Sequence, residues 1–142
     1  MEIDRELVER KLADVKGALE ELKEIAEKGL EAFLSERYLR YAAKYLLITA
    51  IEGAFSVCNH IAVRKGRIPK SYSECFRELA NLGVIDRELG ERLSRMAKFR
   101  NLLVHQYWRV DDEGVFHIIE EDISDLDEFI AEVMRYLEAK GG

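Results

Sequence analysis

Between Phe99 and Trp108 the chain places a guanidinium, an amide, an imidazole and a phenol within eight residues: Arg100, Asn101, His105 and Tyr107. Together these groups suit transesterification of RNA. The ribose 2′-OH attacks the adjacent phosphorus, a base takes its proton, an acid protonates the leaving 5′-oxygen, and a cation steadies the phosphorane-like state. His105 titrates near neutrality and fits the proton transfer. Arg100 keeps its charge at any working pH and offers a planar fork to the non-bridging oxygens.

These residues must be positioned by a helix. Leu89, Leu93, Met96, Arg100, Leu103 and Tyr107 step by four, three, four, three and four, which makes one stripe on a helix predicted over about 87–108. Five of the six suit a buried or interface stripe. Arg100 does not, because burying an unpaired guanidinium costs several kcal/mol, roughly. It needs either an internal carboxylate or an anionic ligand. Glu52, in a mostly apolar stretch, has the complementary problem and is the candidate carboxylate. The two readings are compatible, since a carboxylate can orient an arginine that still meets a phosphate. His105 follows Arg100 by five residues, about 140° round and about 7.5 Å along the axis, so the two do not stack as neighbours on one face.

Other chemistries find no support. His60, His105 and His117 lack metal-ligand spacing and no carboxylate triad accompanies them. No glycine-rich phosphate loop is present. Cys58 and Cys75 do not form a CxxC pair and read as small buried hydrophobes. Neither a metal nor a cofactor is expected.

The rest of the chain is expected to be an antiparallel four- to five-helix up-and-down bundle, all-α, in one domain covering residues 1–142. A single proline and nine glycines leave little room for turns and strands. Residues 4–29 are predicted as an amphipathic helix capped by Asp4 and stopped by Gly29. Ser35 is predicted to open a second helix running to about Lys65. Its residues are apolar round most of the circumference, which points to the centre of the bundle or to a subunit interface. Tyr38, Tyr41 and Tyr45 are assigned to packing there. Ser71 and Glu74 form a capping box for a helix over about 72–81, and Asp86 caps the motif helix. Residues 110–116 are expected to be a polar turn, 117–122 either a helical turn or an extended piece, and Ser124 or Asp125 to cap a last helix to about Ala139.

Net charge is −6, yet residues 60–109 carry 11 Lys and Arg against 5 Asp and Glu. Residues 110–142 carry 2 against 11. A local positive block between acidic flanks is compatible with a phosphate-bearing partner. The charged N-terminal residues make no signal peptide, and the longest apolar run, near Leu46–Ile51, is short for a membrane span. A soluble cytoplasmic protein is expected.

Arg100, His105 and Tyr107 stand as in the RX4HXY motif, and this segment resembles HepT toxins of the HEPN superfamily. Asn101 after the arginine fits as well. So do Asn59-His60-Ile61, Gly66, Ile68-Pro69, Ser71-Tyr72, Glu74, Phe76, Leu79 and Gly83-Val84-Ile85, which lead into the motif helix. The resemblance covers about residues 40–136. It implies a metal-independent endoribonuclease, acting on tRNA or mRNA as a homodimer whose two motifs face one cleft. It also implies a type VII toxin–antitoxin system with an MntA-like nucleotidyltransferase antitoxin. That partner would AMPylate Tyr107, adding bulk and negative charge where RNA should sit. Arg100 and His105 are then the expected catalytic residues, with Asn101, Tyr107 and Glu52 in support. Two other readings stand beside it. One is a non-catalytic adaptor dimer that binds a nucleotide or the nucleotidyltransferase. The other is a plain structural bundle with Arg100 paired to Glu52.

Overall fold

The computed structural model describes residues 2–141. Helix α1 covers Arg5–Glu27, with Asp4 accepting a hydrogen bond from the Leu7 N–H at its start. Its buried positions Val8, Leu12, Val15, Leu19, Leu22 and Ile25 recur at three and four, so one stripe faces inwards. A short helix, α2, follows at Leu30–Ser35, and then comes the long α3 at Arg37–Arg64. Here the sequence reading is corrected. Ser35 closes α2, its hydroxyl donating to the Ala32 carbonyl, and does not open α3. The cause lies on either side. Gly29 takes a positive φ of 90° that breaks the run from α1. Buried Phe33 holds residues 30–35 to the core, and the Arg40 guanidinium caps the free Phe33 and Leu34 carbonyls.

Helix α3 is the bundle's central element. It packs on α1 along its length and also touches α4, α5 and α7. Small residues on the α1 side set that approach: a Cβ at Gly53 would lie 2.6 Å from Val15 Cγ2. Although α3 is long and apolar enough to cross a membrane, half of its most apolar window is buried inside the bundle. Its apolar character therefore serves the core as well as surfaces.

Helix α4 covers Tyr72–Asn81, and Ser71 Oγ accepts from the Glu74 N–H as the capping box requires. After the Gly83 turn, Asp86 caps α5, Arg87–His105. The two helices form a tight hairpin. Helix α5 stops three residues short of expectation. Gln106 leaves the helical region at φ −139°, ψ 48°, and residues Tyr107–Arg109 form a 3-10 turn. The expected stripe is buried at Leu89, Leu93, Met96 and Leu103, but Tyr107 is 68% exposed.

The segment read as a polar turn is instead helix α6, Asp112–His117. Its acids occupy the cap and first turn, where negative charge is favourable, and Asp111 accepts from the Glu113 N–H. Val115 and Phe116 go into the core, with Phe116 against Phe33 at 5.3 Å between ring centroids. Residues 118–122 form a π-turn, so the ambiguous stretch is helical, and α7 runs Ser124–Gly141. The acidic C-terminal third spends several carboxylates on the bundle. Asp125 and Glu128 hold Arg92, Asp127 holds Lys23, and Asp112 holds Lys44 and Arg40. Buried side chains from α1 to α7 join in one core. Cys58 and Cys75 are buried and free within it.

Candidate active site

Arg100 sits one and a half turns before the end of α5, where α3 and α4 both meet it. Its Nη2 donates to Glu52 Oε2 of α3, and its Nη1 donates to Asn101 Oδ1 at 3.1 Å. The guanidinium carbon lies over the Tyr72 ring of α4, 4.7 Å from the centroid. The other face of Tyr72 stacks on Phe55 of α3, at 3.8 Å and 7° between planes. Phe55, Tyr72 and Arg100 thus form a three-layer stack, with Glu52 one turn before Phe55 fixing the end of the fork. A cation over a ring face is attracted to it, and the attraction grows as water is removed.

The arginine is nearly enclosed but not sealed. Its side chain keeps 13% of its exposure, against 40% for Glu52. Nε is buried without a partner. Each terminal nitrogen carries two hydrogens, so the Glu52 and Asn101 bonds leave two of the four terminal N–H groups free. That edge can accept a further anionic oxygen.

His105, the last residue of α5, is exposed, and Asn101 is exposed beside the arginine. Within one chain the structure pairs Arg100 with Glu52 and Asn101; His105 makes no hydrogen bond among the described residues. Beyond it Tyr107 and Trp108 lie on the surface, edge to face at 5.5 Å and 80°, with Trp108 69% exposed. Arg109 steadies this turn by donating to Gln106 Oε1 at 2.8 Å. Tyr38, Tyr41 and Tyr45 are also corrected: they are 73%, 60% and 67% exposed and pack on nothing in the core. They lie on the side of α3 that leads, two turns past Tyr45, to Glu52.

The residue that sequence reasoning missed is Tyr72. In the sequence it stands only as part of the loop pattern. Two signals were present: an aromatic at the first position of a capped helix, and an arginine in need of a flat partner.

His60 is 9% exposed and its Nε2 accepts a hydrogen bond from the Asp4 N–H at 2.9 Å, pinning the start of α1 to α3. Burial, and then the nearby Arg64 charge, push its pKa down, with Asp4 opposing. It is a structural histidine, apart from the Arg100 cluster. His117 is exposed on α6.

The sequence and the architecture have counterparts. The family model described as "Ribonuclease HepT-like" matches residues 15–133. A putative RNase of Archaeoglobus fulgidus is 40% identical over 95 residues, covering 66% of this chain and 71% of that protein. The mRNA nuclease HepT of Shewanella oneidensis is 25% identical over 126 residues, covering 88% of this chain and 94% of its own. Among solved structures, the tri-AMPylated HEPN toxin of Shewanella oneidensis, in complex with an MNT antitoxin, superposes with a TM-score of 0.84. It is 24% identical and covers 91% of this chain and 97% of that one, a likeness in fold. With an all-helical bundle of that shape and a family match over most of its length, the chain belongs to the HepT-like ribonuclease family.

Proposed function

We propose that this protein is a metal-independent endoribonuclease toxin of a HepT/MntA-type pair, a single HEPN domain that works in the cytoplasm as a homodimer. The observation that carries the reading is Arg100. Its guanidinium is stacked on Tyr72 and tethered by Glu52, with free N–H groups at the edge, one and a half turns from an exposed imidazole. A permanent cation held this way is preorganised for an oxyanion.

In the proposed reaction, the 2′-oxygen bonds to phosphorus as the bond from phosphorus to the 5′-oxygen breaks. The 2′ proton passes to a base and the leaving oxygen takes one from an acid, giving a 2′,3′-cyclic phosphate and a 5′-hydroxyl. Arg100 binds the non-bridging oxygens and His105 transfers the proton. Because the two residues are about 140° apart on α5, the facing motif of a second copy is the natural source of the complementary group. The exposed tyrosine face of α3, running towards Glu52, supports such pairing. Tyr107 is solvent-facing and available for AMPylation by a nucleotidyltransferase antitoxin, in keeping with the Shewanella toxin, which is tri-AMPylated and in complex with an MNT antitoxin.

The test is cleavage of total RNA by purified protein in EDTA. Arg100→Ala and His105→Ala are each expected to abolish cleavage while size-exclusion chromatography still reports a dimer. Cleavage unchanged in both variants would refute the assignment. Co-expression with an adjacent nucleotidyltransferase gene should raise the intact mass by whole AMP units, and Tyr107→Phe should remove them. A parent that ignores RNA but binds ATP or that enzyme would instead establish the adaptor reading.

A further inference from the structure

Resting on the ribonuclease reading, we infer that Arg95 and Lys98, in line with His105 on the open side of α5, bind the backbone phosphates of single-stranded RNA flanking the scissile one. Arg95, Lys98, Leu102 and His105 step by three, four and three, so they share one side of the helix, with Asn101 at its margin. Arg95, Lys98, Asn101 and His105 are all exposed. Lys98 precedes His105 by two turns, about 10.5 Å, and Arg95 by about 15 Å. Both are within reach of a strand whose reacting phosphate lies at the helix end.

These two combine a place beside His105 on α5 with charge that is unspent. Of the nine other cations of the basic block, four are neutralised: Arg67 by Glu78, Arg77 by Glu91, Arg92 by Asp125 and Glu128, and Arg100 by Glu52; the other five lie off α5, except Arg87 at its far end. Among the described residues, Arg95 and Lys98 make no ion pair. Arg95 borders a cleft of about 290 Å³ that also holds Asp122 and Asp125, yet Asp125 is taken by Arg92 and Asp122 makes no bridge to Arg95. Glu91, two turns before Lys98 on the same side, is turned to Arg77 at 3.2 Å, and there the positive track ends. In an acidic protein, a short row of unpaired cations leading to an imidazole is a local field for polyanions. It reads no sequence, since phosphate contacts position a strand without identifying bases.

The experiment measures binding of a fluorescein-labelled oligouridine by anisotropy, in EDTA and across a salt series, in a His105→Ala background that prevents cleavage. Each phosphate contact contributes about 0.7 to the slope of log affinity against log salt for single strands. Arg95→Ala with Lys98→Ala should therefore lower that slope by about 1.4. In the His105 parent the same pair should raise KM for RNA cleavage several-fold and leave kcat within about twofold. Arg87→Ala, which removes one unpaired charge some 27 Å from His105, should leave slope and KM unchanged. The inference is overturned if the double variant matches its parent in slope and KM, if Arg87→Ala has as large an effect, or if the parent does not bind oligouridine. Failure of the ribonuclease reading looks different: no RNA is cut by the parent, whatever the binding curves show.

Discussion

Removing Glu52 should destabilise the protein more than removing Arg100, and removing both should nearly restore it. In Glu52→Leu the guanidinium stays in place with its side chain only 13% exposed, one bond to Asn101 and the Tyr72 ring beneath it. A hydrogen bond to a charged group is lost and a desolvated cation is left short of a partner, a cost of about 2–3 kcal/mol. In Arg100→Met the carboxylate left behind is already 40% exposed and turns to water. Methionine keeps most of the stem's packing, so this variant should lose about 1 kcal/mol. The double variant holds neither charge, and apolar replacements of buried pairs are often neutral. The coupling is thus about 3–4 kcal/mol, well above the 0–1 kcal/mol or so of exposed pairs. In urea, with a slope near 1.5 kcal/mol/M, Glu52→Leu should lower the midpoint by about 1–2 M. All four proteins are compared at one concentration, because the proposed dimer would link stability to concentration. Single effects that simply add in the double variant, within about 0.5 kcal/mol, would refute the claim that Glu52 tethers Arg100.

Tyr72→Leu removes a ring gripped on both faces and should lower kcat about 10-fold for each ~1.4 kcal/mol of lost positioning; Tyr72→Phe keeps the ring and should cleave RNA like the parent. Asn101→Asp should depress kcat/KM more than Asn101→Ala, since a carboxylate would compete with phosphate for Nη1; steady-state cleavage assays on both variants check the order. For His60 the folded pKa lies below its ordinary value near 6.5. The unfolded chain therefore binds more protons between the two values, and stability is full above about pH 6.5 and falls as pH drops towards the folded pKa. Urea midpoints from pH 7.5 to 5 should show that loss, and His60→Gln should flatten its share of the slope.

Most of the fold was legible because its helices announce themselves with caps and apolar periodicity. Asp4, Ser71 and Asp86 each accept the hydrogen bond that their position predicts. What failed to show were breaks decided by tertiary contacts. Residues 110–116 read as a turn because three acids and a glycine outweigh Val115 and Phe116, whose burial against α2 makes the helix. Ser35 carries a capping side chain, yet Phe33 and Arg40 draw the preceding residues into a turn of their own. Aromatic residues at helical spacing usually pack, but the tyrosines of α3 stay exposed, with Tyr38 meeting only Tyr41 and Arg37 among aromatic and cationic partners. At the site, the Arg100–Glu52 pair was readable from two charges in apolar surroundings. The stack on Tyr72 was not, since an aromatic at a helix start carries no charge to mark which cation it meets.

On the proposed role of Arg100 in holding a phosphate, its two partners differ in what their displacement would cost. Breaking the Glu52 bond leaves two opposite charges partly unpaired in a crowded place, whereas breaking the Asn101 bond gives up only a neutral acceptor on an exposed side chain. The phosphate should therefore enter on the Nη1 side and take the place of Asn101 Oδ1, while Glu52 keeps Nη2 and the orientation of the fork. Glu52 then acts through the arginine: it lowers the net positive charge that the phosphate meets, and in exchange it prevents the long side chain from wandering between turnovers.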